Sequence, residues 1–137
     1  MSQNFLPWVF RADATQFPVG LAEGVAPGAL AYLGDAVFEL YVRTYYLFPP
    51  KRIGLYHQKV VEQVRAESQA LFLQQLTPHL TLAEQEIVRR GRNATARTPR
   101  RLAPELYQQA TGLETLIGYL YLHDLERLQE LLSHLQL

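Results

Sequence analysis

The sequence predicts an all-α domain, and three observations carry that prediction. Apolar residues recur at three- and four-residue spacing along most of the chain, convincing strand alternation is absent, and prolines fall where helices start or stop. A chain of 137 residues suits one domain, and folding at that size buries roughly two-thirds of the unfolded surface. Residues 1–137 read as a single unit, because the sequence has no internal repeat, no low-complexity tract and no Gly/Ser linker.

The first helix is expected over residues 26–48, opened by Ala26-Pro27 and closed by Phe48-Pro49-Pro50. A long amphipathic helix follows over 55–76, with Val60, Val61, Val64, Ala70, Leu71 and Leu73 on its apolar side and Thr77-Pro78 as its stop. A third opens at Thr81, whose spacing to Glu84 fits a capping box, and is broken by Gly91 and Asn93. An arginine-rich loop then runs to Ala103-Pro104, kept non-helical by its prolines. Residues 107–122 form a second core helix, and 124–135 a short closing one with Leu125, Leu128, Leu131, Leu132 and Leu135.

Helices 26–48 and 107–122 are apolar almost all round, yet each carries a carboxylate. In the first, Asp35, Glu39 and Arg43 recur at i, i+4 and i+8, a narrow ionisable stripe on a rod with no other solvent face. In the second, Glu114 is the only charge, with Thr111, Thr115 and Gly118 on its seam. Unpaired buried carboxylates cost several kcal/mol, so they persist only when paired, protonated or bound to a metal. Gly34 and Gly118 each cost about 1 kcal/mol relative to alanine inside a helix. Their presence predicts close helix approach, bringing Asp35 towards Glu114. One reading is an ion-pair ladder through Asp35, Glu39 and Arg43, with Glu114 meeting an arginine. The other is a metal site: oxygen ligands without histidine or cysteine favour Mg²⁺ or Mn²⁺ over zinc.

Composition narrows the function. Net charge is zero, but six of the thirteen basic residues, Arg89, Arg90, Arg92, Arg97, Arg100 and Arg101, fall in an acid-free window. Arginine's planar fork suits phosphate. Together with the acids they describe a metal-dependent phosphodiesterase whose arginines hold the flanking phosphates. Cysteine is absent, which removes disulfides, thiolate metal sites and cysteine nucleophiles. Residues 1–10 show no basic n-region, and no apolar run nears ~18–20 residues, so a cytoplasmic protein without a membrane partner is expected. A charged share of only 19% hints at an oligomer interface.

The run Ala29-Leu30-Ala31-Tyr32-Leu33-Gly34-Asp35-Ala36-Val37 resembles the signature helix of the ribonuclease III nuclease-domain family, where a Phe/Tyr-Leu-Gly-Asp core presents a metal-binding aspartate. Gly112-Leu113-Glu114-Thr115-Leu116-Ile117-Gly118 resembles that family's second acidic helix. Gly34-Asp35-Ala36-Val37-Phe38-Glu39 and Arg89-Arg90-Gly91-Arg92-Asn93-Ala94 are similar to the stand-alone branch, Mini-ribonuclease III. The resemblance implies a homodimeric, Mg²⁺-dependent endoribonuclease that cuts double-stranded RNA, with Mn²⁺ a possible substitute. It implies maturation of large-subunit (23S) ribosomal RNA precursors and the possible help of a ribosomal protein that presents the substrate.

Carried over residue by residue, Asp35 and Glu114 are the catalytic metal ligands. The family has further acids where this chain has Ala31 and Thr111, so Glu39 and Thr111 are the candidates for supporting roles. No double-stranded-RNA-binding domain is expected after Leu137, so Arg89, Arg90, Arg92, Asn93, Arg97, Arg100 and Arg101 are assigned as a group to contact the RNA that the resemblance implies. The alternative function is a catalytically silent helical RNA-binding module whose acids are structural.

Overall fold

The computed structural model describes residues 21–94 and 103–137. The described residues contain helices and turns and no strand. A 3₁₀ turn at Leu21–Gly24 leads into α1 (Pro27–Tyr46), α2 (Ile53–Val64) and α3 (Ala66–Leu76). A second 3₁₀ turn, Thr77–His79, precedes α4 (Leu82–Asn93), α5 (Pro104–His123) and α6 (Leu125–Leu132).

Helix α5 is the axis of the molecule: α1, α3 and α4 pack around it, and α6 folds back against its end. Its buried side chains Leu113, Leu116, Ile117 and Leu120 meet Phe38 and Val42 of α1 and Phe72, Leu73 and Leu76 of α3. Phe38 and Phe72 stack edge to face with centroids 5.9 Å apart. Each such fully buried side chain contributes about 1.5–3 kcal/mol, so this layer dominates the stability of the domain.

The local signals explain most element ends. Pro27 and Pro104 each occupy the first turn of a helix, where a missing N–H leaves no bond unmade. The capping box at Thr81 is formed in both directions: Glu84 N–H donates to Thr81 Oγ1 at 3.1 Å, and Thr81 N–H donates to Glu84 Oε1 at 2.9 Å. Asp124 caps α6 by accepting from the Arg127 N–H.

Four expectations are corrected. The single helix over 55–76 is two, because Arg65 adopts an extended conformation with φ −71° and ψ 160°. Helix α5 begins at Pro104, a turn before 107, so that proline starts a helix rather than prolonging a loop. Gly91 lies inside α4 and does not end it. A Cβ there would sit 2.3 Å from Thr115 Oγ1, so the glycine lets α4 press against α5. Finally, α1 does have a solvent face in this chain, made of Tyr32, Asp35, Ala36, Leu40 and Arg43.

Candidate active site

The close approach predicted from two glycines is present. A Cβ on Gly34 would lie 1.8 Å from the Glu114 carbonyl oxygen, and one on Gly118 would lie 2.0 Å from that of Leu30. No side chain fits at such distances, so α1 and α5 meet backbone to backbone. The contact sets Asp35, next to Gly34, against Glu114.

The two carboxyl groups hydrogen-bond to each other, and the Gln69 side chain of α3 hydrogen-bonds to Glu114. Burial and, after it, the neighbouring charge of Asp35 push the Glu114 carboxyl up to about 8; the Gln69 amide opposes the shift. An arginine partner would pull it the other way. The expectation that both acids lie in a dry interior holds only by half: Glu114 is partly buried, whereas Asp35 is exposed. Asp35 opens onto a groove of about 470 Å³ shared with Tyr32, Ala36, Glu39, Leu40 and Arg43.

Glu39 reaches the same groove but is tied to Arg43 by a hydrogen-bonded ion pair along the helix. The expected ladder is therefore one rung, with Asp35 joined to Glu114 instead. The Thr111 carbonyl accepts from Thr115 Oγ1 at 2.7 Å, an intrahelical bond.

Of the arginine group, Arg89 and Arg90 lie on α4 as expected, and Arg92 and Asn93 continue its last turn instead of opening a loop. Arg97, Arg100 and Arg101 are outside the described residues. Arg89 forms a surface pair with Glu86 at 2.6 Å. Arg92 packs on α5: its Cγ is 2.9 Å from where a Gly112 Cβ would be, two residues before Glu114. Gly91 against Thr115 and Gly112 against Arg92 thus bring the basic end of α4 to the α5 turn that carries Glu114.

Sequence reasoning missed Gln69, a glutamine on an amphipathic helix with no motif around it. The same applies to the pairing of Glu84 with Arg127, whose guanidinium donates to both carboxylate oxygens at 2.8 and 2.9 Å across 43 residues of sequence.

Does this donor set suit a divalent cation? Among the described residues no cluster of three or more His, Cys, Asp or Glu forms a metal cage. Two adjoining carboxylates nevertheless match Mg²⁺, which keeps several waters and binds through one or two carboxylates. Asp35 and Glu114 fit that demand.

An acidic pair clamped between two helices of an all-α domain, with arginines at its flank, defines a ribonuclease III-type nuclease domain. The family model described as "Ribonuclease III domain" matches residues 28–125. The chain is 64% identical over 115 residues to a Mini-ribonuclease 3 of Synechocystis sp., covering 84% of this chain and 80% of that protein. It is 61% identical over 125 residues to a Mini-ribonuclease 3 of Synechococcus sp., covering 91% and 90%. A crystal structure of a Fusobacterium nucleatum protein superposes with a TM-score of 0.72 at 32% identity, covering 80% of this chain and 88% of that one. The chain belongs to the Mini-ribonuclease 3 family and is an endoribonuclease, a hydrolase. That membership sets aside the alternative of a catalytically silent module.

Proposed function

We propose that the protein is a Mg²⁺-dependent endoribonuclease that cleaves double-stranded RNA and matures the ends of 23S ribosomal RNA precursors, with Mn²⁺ able to replace Mg²⁺. The observation that carries this reading is the Asp35–Glu114 pair, two acids of like charge set side by side across the Gly34–Gly118 contact. In this reading residues 1–137 act as one nuclease domain in the cytoplasm, a second copy of the chain completes the working enzyme, and a ribosomal protein presents the substrate. The second copy is supported by the exposed apolar residues Tyr32 and Leu40, 84% and 37% accessible beside the acidic groove. No described helix is long and apolar enough to cross a membrane.

Asp35 and Glu114 would hold the ion between them. When bound, such an ion supplies an activated water and neutralises charge on the phosphoryl oxygens. The protein's own part is to place the scissile phosphate. A-form RNA is recognised through phosphates and 2′-hydroxyls across its wide minor groove. Arg90 and Arg92 on α4 suit the flanking phosphates, with Arg89 and Asn93 beside them and Arg97, Arg100 and Arg101 completing the basic group. Glu39, held by Arg43, and Thr111, held within α5, support the groove rather than ligate.

The test is cleavage of a structured ribosomal RNA precursor with and without Mg²⁺. Asp35→Asn should lower the rate at least about 100-fold, roughly 3 kcal/mol of transition-state stabilisation, while the melting temperature holds or rises because a like charge next to Glu114 is gone. A folded Asp35→Asn protein cutting at the wild-type rate would refute the assignment.

A further inference from the structure

Gln69 is a buried amide in an apolar layer, 2% exposed among Ala70, Phe72 and Leu73. It sits on the first turn of α3, just past the extended Arg65 that separates α2 from α3. Its Nε2 donates to the Val64 carbonyl at 2.8 Å, at the end of α2. Only an N–H can donate to a carbonyl, so that bond fixes which way the amide faces. Its side chain also bonds to the Glu114 carboxylate. The amide oxygen Oε1 is buried and accepts nothing among the described residues.

Packing alone does not account for this. A leucine or methionine would fill the space without stranding a buried acceptor, and stranded acceptors are costly and rare. What the amide achieves is a link: one N–H grips the main chain where α2 ends, and the same group reaches the Glu114 carboxylate. Of the two side chains bonded to Glu114, Asp35 is itself one of the ion-holding pair, which leaves Gln69 as the one whose bond serves only to hold Glu114 in place.

We infer that Gln69 is a positioning residue of the active site, orienting the Glu114 carboxylate beside Asp35 for a divalent cation by tethering it to the Val64 carbonyl at the α2–α3 break. The inference rests on the reading of Asp35 and Glu114 as the ion-holding pair. It explains why the chain breaks a helix without glycine or proline: the interruption exposes a carbonyl for the tether to grip.

The experiment uses Gln69→Met, close in volume but without a donor, and Gln69→Asn, which keeps the amide on a shorter stem. Mn²⁺ binding is measured by calorimetry on the full chain without RNA, beside cleavage kinetics and the metal-free melting temperature. Both variants should bind Mn²⁺ about 10-fold or more weakly, the usual effect of losing a group that orients a ligand. The Mg²⁺ needed for half-maximal cleavage should rise in step, the KM for RNA should stay within about twofold, and the metal-free melting temperature of Gln69→Met should hold or increase. Should Gln69→Met fail to fold, Gln69→Asn decides alone.

A folded variant with wild-type Mn²⁺ affinity overturns the inference. Failure of the underlying site assignment looks different: Asp35→Asn and Glu114→Gln would then keep wild-type Mn²⁺ binding and cleavage. Loss in those two with none in the Gln69 variants would leave the site standing and remove only the tether.

Discussion

Glu84 shows how much one side chain can carry. Its carboxylate closes the capping box at the start of α4 and also takes both prongs of the Arg127 guanidinium from α6, at 7% exposure. The Arg127 hydrogen bond is the largest cause of a carboxyl held below its ordinary value of 4.5, with the Thr81 backbone assisting and burial opposing. A depressed folded-state value means that this stabilisation is fully present above the unfolded value and is lost as pH falls through the folded one. Glu84→Gln should therefore cost about 2 kcal/mol near neutrality, with the gap to wild type closing as denaturation is repeated below about pH 4.

The same residue marks where sequence stops being informative. Thr81 and Glu84 are three apart, so their bond is local and legible. Arg127 is brought there by the chain reversal between α5 and α6, which no local spacing encodes. Asp35 and Glu114 stood out because a charge on an apolar helix is conspicuous. Gln69 did not, because a glutamine on an amphipathic helix looks like one more solvated position.

At the scale of elements, two glycines decide how the nuclease core is assembled. Placing a methyl at Gly34 forces it to within 1.8 Å of a main-chain oxygen on α5, and neither backbone can yield without parting the helices. Gly34→Ala is expected to destabilise the fold by at least about 3 kcal/mol, read as a large drop in melting temperature or loss of soluble protein, with Gly118→Ala behaving alike. Gly28→Ala in the first turn of α1, where nothing lies within 4 Å of an added Cβ, serves as the silent control.

Helix existence and the starts at Pro27 and Thr81 were readable, since they depend on neighbours in sequence, whereas Pro104 opens a helix where a loop is expected. The break at Arg65 was not: Val64-Arg65-Ala66 contains no breaker, and the side chains that bond across it, Gln69 to the Val64 carbonyl and Ser68 to the Glu62 carbonyl, are ones an unbroken amphipathic helix would equally carry. Nor was the outer face of α1, because hydropathy records that Tyr32, Ala36 and Leu40 are apolar, not which of them the fold covers.

For the whole molecule, the arginine end of α4 and the bare face of α1 make separate demands. Affinity for double-stranded RNA should fall steeply with salt, and Arg92→Ala should weaken binding at every sequence while reducing the salt slope by about one. Sedimentation of the wild-type chain should give two copies, and Tyr32→Asp with Leu40→Asp should give one, with circular dichroism unchanged. A single-copy wild type that cleaves at full rate would remove the second copy from the proposal.

The contact of α1 with α5 has a consequence for how this sequence can drift. The gauge between the two acid-bearing turns is set by main chain on main chain, so it does not depend on which aliphatic groups fill the layers around it. Branches and methyls in those layers can be traded, at some expense in stability, without resetting the spacing between the two acids proposed to hold the ion. The proposed cutting geometry is thereby uncoupled from the make-up of the interior, and it hangs on the two positions at the crossing where main chain leaves no room for a methyl group.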